Sequence, residues 1–199
     1  MRTVVAASWL LLAVASFAST PAFAQTSQTR AIDGAKSKAQ FAVQHVFVER
    51  VAGTVPVLSG SVTLPAHGTI PESVSAVLDA GKLDTGDSDR DGDLRSPDFF
   101  DVKRFPKWTF ASSSVTRHSA TSFGLDGDLT IHGVSHPEHL DVTVAGDATH
   151  PIYHATAEIN RRDFKMAVTR LDAAIGEIVD LTLSIVLAEP PANVPGTTP

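Results

Sequence analysis

The sequence predicts an all-β domain of eight antiparallel strands, and three observations carry that expectation. Apolar residues between Ala31 and Ala188 recur mainly with period two, the spacing of strands that bury one face. Helical periodicity is nearly absent over the same span. Turn formers separate the alternating runs: Gly53, Pro65 to Gly68, Gly81, Gly133, Gly146 and Pro151.

The first residues follow another pattern. Arg2 precedes an apolar run from Val4 through Val14, and small residues lead to Ala22-Phe23-Ala24, the order of a cleavable secretory signal. A retained anchor needs about 20 apolar residues in succession, and Ser8, Ser16, Ser19, Thr20 and Pro21 interrupt the run first. Residues 1–24 are expected to be removed after Ala24, giving a periplasmic or secreted protein.

Composition narrows the partners. The formal charge is −6, and loss of Arg2 makes it more negative. Without a Lys/Arg cluster, this balance argues against nucleic acid and anionic membrane surfaces. Cysteine is absent, so neither a disulfide nor a lipidated cysteine is available, and no stable membrane anchor is expected. Residues 25–188 suit one domain that folds on hydrophobic burial alone. Residues 189–199, rich in Pro and small polar side chains, read as a disordered tail.

The strands follow in order along the domain. Phe41, Val43, His45 and Phe47 form the first row, and Val57 to Leu64, Val74 to Leu83 and Trp108 to Val115 supply the next three. The cleanest alternation puts Phe123, Leu125, Leu129 and Ile131 on one side, with Gly124, Asp126, Asp128 and Thr130 on the other. Leu140, Val142 and Val144 follow, then Ala155, Ala157 and Ile159, and finally Val179, Leu181, Leu183, Ile185 and Leu187. The pattern breaks between Asp87 and Phe105. There Ser96-Pro97-Asp98 reads as an N-cap with proline at the first helical position, predicting a short helix around residues 97–101. Such strands must close on themselves or stack as two sheets to protect their edges. A barrel of about eight strands can hold a small ligand if its lining leaves the middle open.

Motifs for chemistry are weak. Asp87-Ser-Asp89-Arg-Asp91-Gly92-Asp93 approaches a calcium-binding EF-hand loop, but the twelfth position is Asp98 instead of Glu, Pro97 precedes it and no amphipathic helix leads in. A solvated acidic turn, with Arg90 and Arg95 pairing to nearby carboxylates, is the expectation. His132, His136 and His139 are split by Gly133 and Pro137, and no cysteine completes a zinc set, so they read as surface histidines. His45 sits in an apolar row and is expected to be buried or to line a cavity. Gly133-Val-Ser135-His-Pro137 lacks the second glycine of a nucleophile elbow, and no phosphate loop or dinucleotide fingerprint occurs.

Several segments, taken in order, resemble the YceI-like family of bacterial exported proteins, also described as polyisoprenoid-binding. They are Phe41-Ala-Val-Gln-His45 with Gly53, Leu83-Asp-Thr-Gly86, Arg90-Asp-Gly-Asp-Leu-Arg-Ser96 and Asp98-Phe-Phe-Asp101. Phe105-Pro-Lys-Trp-Thr-Phe110, Gly127-Asp-Leu-Thr-Ile-His-Gly133 and Asn160-Arg-Arg-Asp-Phe164 complete the set. The resemblance implies an extended, lipocalin-like antiparallel barrel whose apolar channel holds an isoprenoid or other lipid chain. Two departures stand out: Gly53-Thr-Val-Pro-Val57 replaces the usual aromatics, and Lys165 stands where a glycine usually follows Phe164.

The expected function is that of a periplasmic lipid-binding protein without catalytic chemistry. No metal or obligatory cofactor is expected, and the bound molecule would be an isoprenoid quinone or a fatty-acid-like lipid. The channel candidates are Phe41, Val43, His45, Phe99, Phe100, Trp108, Phe110, Phe123, Leu125, Leu129, Ile131 and Phe164, with His45, Arg90, Asp91 and Arg162 as polar head-group candidates. A stress-related structural or protein-interaction module with a solid barrel is the alternative. A hydrolase or isomerase using aspartates and His45 in a cavity comes third. A homodimer is left open.

Overall fold

Alternating burial sets the strands. The computed structural model describes residues 27–45, 49–166 and 175–190. Among these residues the chain forms β1 (Gln28–Ala31), β2 (Lys38–His45), β3 (Glu49–Thr54), β4 (Val57–Leu64) and β5 (Ser73–Asp79). Helix α1 (Ser88–Arg95) follows, then β6 (Lys107–Arg117), β7 (Ser122–Ile131), β8 (Val134–Gly146), β9 (Pro151–Asn160) and β10 (Ile175–Val186). All strands join one antiparallel sheet in the order β1-β4-β5-β6-β7-β8-β9-β10-β2-β3, curled into a half-barrel. The expected signal over residues 1–24, Phe47, and all of the expected tail beyond Glu189 and Pro190 lie outside the described residues.

Ten strands replace the eight expected from periodicity. The two additions have no apolar alternation to announce them. In β1 the buried side chain is Arg30, and β3 begins with Glu49 and Arg50 and contains Gly53, a residue that reads locally as a turn. Pairing with neighbours makes both of them strands: β1 against β4, and β3 against β2.

The curl brings the β1 edge back to the end of β10. Asp33 N–H donates to Val186 O and Ala188 N–H to Ala31 O, each at 2.8 Å, bridging Ile32 to Leu187. Arg30, only 5% exposed, fastens this seam. Its Nη1 and Nη2 donate to the carbonyls of Thr149 and Ala188, both at 2.6 Å.

The helix also differs from expectation. Residues 97–100 form a turn, and the helix lies one segment earlier, in the acidic stretch. Asp87 is its N-cap, accepting from the backbone N–H groups of Asp89 and Arg90. Asp89 and Asp91 in the first turn and Arg95 in the last both complement the helix dipole. Ser96 is therefore a C-cap, extended at ψ 165° as the residue before a proline must be. The local signals at Asp87 and Ser96 are alike, and the charge order along the segment favours the earlier one.

Two contacts fasten the helix, one to the loop before it and one to the sheet. Asp91, 6% exposed, accepts from Thr85 N–H at 2.9 Å and Thr85 Oγ1 at 2.7 Å, and its other oxygen lies 3.6 Å from Arg95. Phe100, in the turn that follows, packs on Trp108 of β6.

Candidate ligand channel

One face of the strands encloses a cavity of about 450 Å³. Its wall is built by the alternation of β7, where Phe123, Leu125, Leu129 and Ile131 all point inward. Phe41, Val43 and His45 of β2 and Trp108 and Phe110 of β6 join them, and Phe99 and Phe100 come from the turn after α1. Among the channel candidates Phe164 stands apart. It is fully buried outside the wall, its ring meeting the His136 imidazole edge-on with centroids 6.0 Å apart.

Charge collects at the α1 side of the cavity, where Asp87, Asp89, Arg90 and Asp93 line it together with Leu94. Among the described residues Arg90 does not pair with a carboxylate side chain there. Its Nε donates to Thr85 Oγ1 at 2.9 Å and its Nη2 to Thr85 O at 3.3 Å. The backbone N–H of Arg90 holds the Asp87 carboxyl below the usual range, with the N–H of Asp89 adding to it. Half-buried His45 has Nδ1 3.9 Å from Glu49 Oε2, too long for a hydrogen bond. Asp91 and Arg162 lie off the wall: Asp91 anchors the helix, and Arg162 Nε pairs with Glu177 at 2.8 Å.

Further polar groups sit within the apolar wall. The indole Nε1 of Trp108 is buried without a hydrogen-bond partner among the described residues. Glu138 of β8 faces inward and accepts from His136 Nδ1 at 3.1 Å, while His136 Nε2 lies 3.8 Å from Asp163. Burial pushes the Glu138 carboxyl above its usual range, against the pull of His136. Arg161 reaches the same cavity and ties the turn after β9 to the chain at Met166, Ile175 and Gly176 through its guanidinium donors.

The remaining histidines of the sequence cluster diverge. His132 and Gly133 take φ of 52° and 72° in the two-residue β7–β8 turn, the left-handed pair such hairpins need. His139 is exposed on the outer face, its Nδ1 2.6 Å from Asp126. Among the described residues no three His, Cys, Asp or Glu side chains are placed to hold a metal ion. No helix there is long and apolar enough to cross a membrane.

The YceI-like domain profile matches residues 31–187. This chain belongs to the YceI-like family. It is 30% identical over 159 residues to a UPF0312 protein of Enterobacter sp. strain 638, covering 77% of this chain and 81% of that one. Protein YceI of Escherichia coli O157:H7 is 29% identical over 159 residues, covering 77% and 82%. Among solved structures, BcnA of Burkholderia cenocepacia superposes with a TM-score of 0.66 at 20% identity, covering 79% of this chain and 99% of that one. A polyisoprenoid binding domain from Saccharophagus degradans, implicated in plant cell wall breakdown, gives 0.60 at 17% identity, with 84% and 100% covered.

Within the YceI-like frame, several wall residues were absent from the sequence candidates. Ala155, Ala157 and Ile159 of β9 and Leu181, Leu183 and Ile185 of β10 carry the same period-two signal as β7 and were legible as strand faces. Glu138 and Arg161 gave no such sign, because a charged residue in an alternating run ordinarily marks the solvent face.

Proposed function

We propose that this YceI-like protein is an exported carrier, without catalytic chemistry, that shelters an isoprenoid chain, quinone-like in kind, or another long apolar chain. The continuous apolar cavity carries the proposal: aromatic and aliphatic side chains wall it, and charged residues gather on its α1 side. The ligand class of the Saccharophagus degradans domain, which shares the fold, supports the same reading. Phe41, Val43, Trp108, Phe110, Phe123, Leu125, Leu129 and Ile131 would enclose the chain, with Phe99 and Phe100 closing over it. His45 and Arg90 would meet its polar end.

Such a chain is already out of water in a bilayer, so hydrophobic transfer alone does not favour the protein. Affinity then depends on the fit of the wall and on polar contacts. Periplasmic or secreted placement after cleavage at Ala24 belongs to the proposal, since apolar molecules need a carrier where they cross water.

Expression with the leader, purification, organic extraction and mass spectrometry test it, with intact mass reporting the processed N-terminus. An isoprenoid or long-chain lipid in the extract and a mature chain beginning at Gln25 are expected. Protein that is repeatedly empty and binds no added isoprenoid would overturn the proposal.

A further inference from the structure

We propose that Glu138 is a polar station inside the channel, where its carboxyl oxygen receives a hydroxyl or amide N–H of the bound lipid. This inference rests on the lipid-binding reading above. Its ligand class is narrower: among long apolar chains it favours alcohols, amides and reduced quinols, which carry a hydrogen-bond donor, over an oxidised quinone, whose carbonyls only accept.

The inner face of β8 runs Val134, His136, Glu138, Leu140, Val142, so the carboxylate stands directly above the apolar part of the wall. Across the β7–β8 ladder its partner is Gly127, which has no side chain to cover it. The space at Gly127 is taken by the Phe110 ring: a Cβ there would come within 2.5 Å of Phe110 Cζ. Glu138 is held at the level of Phe110, with its side chain 10% exposed. His136 engages Oε1, and Oε2 makes no hydrogen bond among the described residues.

Oε2 is not sealed off and faces the cavity, so a ligand that covers it removes its water, and a carboxylate oxygen left there without a donor is unfavourable. A pure hydrocarbon entering the cavity displaces water from that oxygen and returns nothing. An alcohol or amide returns a donor. The site therefore discriminates between two chains of equal length that differ in one O–H.

Other charges stand beside Glu138 or line the same cavity. His136 lies on its own strand, Asp163 and Arg161 come from the turn after β9, and α1 sends Asp87, Asp89, Arg90 and Asp93 to the same cavity. Protonating Glu138 turns a charged acceptor into a neutral carboxyl that can also donate, so preference for a donor falls as pH drops through its pKa.

The experiment compares geranylgeraniol with its methyl ether, read by quenching of Trp108 fluorescence, in wild type, Glu138→Leu and Glu138→Gln. Wild type is expected to favour the alcohol by about tenfold. Glu138→Leu should reduce the ratio to within about twofold by binding the ether at least as well, and Glu138→Gln should keep part of it. Equal affinities in wild type, or an unchanged preference in Glu138→Leu, would overturn the assignment while leaving lipid binding intact. Binding of neither chain would overturn lipid binding as well. Should Glu138→Leu fail to fold, the isosteric Glu138→Gln and the wild-type pH profile decide: a flat profile with an unaltered ratio counts against Glu138.

Discussion

Phe100 and Trp108 meet with ring centroids 4.7 Å apart and planes tilted by 58°. The pair joins the turn after α1 to the β6 wall, so an element with little apolar surface of its own is held over the channel by this aromatic contact together with its polar ties to Thr85. Phe100→Ala should cost about 1–3 kcal/mol in stability, less than for a fully enclosed phenylalanine because the residue is only partly buried. Trp108 emission should shift to the red as water reaches the indole, and isoprenoid affinity should fall. Urea unfolding followed by tryptophan fluorescence measures both; an unchanged spectrum would refute the contact.

Ala157 points into the cavity from β9, opposite Leu181 on β10. Phenylalanine at this position occupies space that a ligand chain would use. Ala157→Phe should lower lipid affinity at least about tenfold while leaving thermal stability unchanged or raised by roughly 0.5–2 kcal/mol, as cavity filling does. Isothermal titration beside a thermal melt separates this from simple misfolding.

Arg30 supplies a charge to two carbonyls at the seam, and removal leaves both without that donor. Arg30→Met should destabilise by about 3–6 kcal/mol, the scale of two hydrogen bonds to a charged group. Hydrogen exchange should rise first at Ala188 and in the β8–β9 turn. Uniform loosening elsewhere would argue against a seam.

Lys165 adopts φ 55° and ψ 26°, the left-handed region that favours glycine, immediately after the buried Phe164 turn. Lys165→Gly should stabilise by about 1 kcal/mol, whereas Lys165→Ala should not. Denaturant midpoints of the two variants check this directly.

The Asp126 hydrogen bond raises the His139 pKa above its ordinary 6.5, with the Asp141 charge adding to it. The bond to His139, followed by that from Ser114, lowers Asp126 below 3.8. A raised histidine contributes stability that is full below its unfolded pKa and is lost as pH rises through the folded one. A lowered aspartate contributes above its unfolded pKa and loses it as pH falls. The pair therefore acts between those limits, in mildly acidic solution. Asp126→Asn should return the His139 midpoint, followed by NMR, toward 6.5, and the stability difference from wild type should shrink above neutrality.

Much of the fold could be read locally. The row from Phe123 to Ile131 announced both a strand and its inward face, because alternation with period two is a property of consecutive residues and needs no knowledge of neighbours. The rows in β2, β9 and β10 were equally plain. Arg30 and the β3 residues were not, since their strand identity comes from hydrogen bonds to segments distant in sequence. The Asp87-to-Arg95 helix lay between the two cases. Its cap and charge order were present in the chain, but a competing Ser96-Pro97 signal pointed to the far end of the same segment.

The division follows from range. Period-two alternation and turn residues are set by nearest neighbours, and they sufficed for an all-β domain with a largely apolar interior. Curling the sheet depends on contacts between remote residues, above all the Arg30 seam, and the channel wall on pairings that no single segment announces, the Phe100–Trp108 contact and the Gly127 position opposite Glu138. Only that closure turns a run of amphipathic strands into a channel and places one carboxylate within its apolar wall.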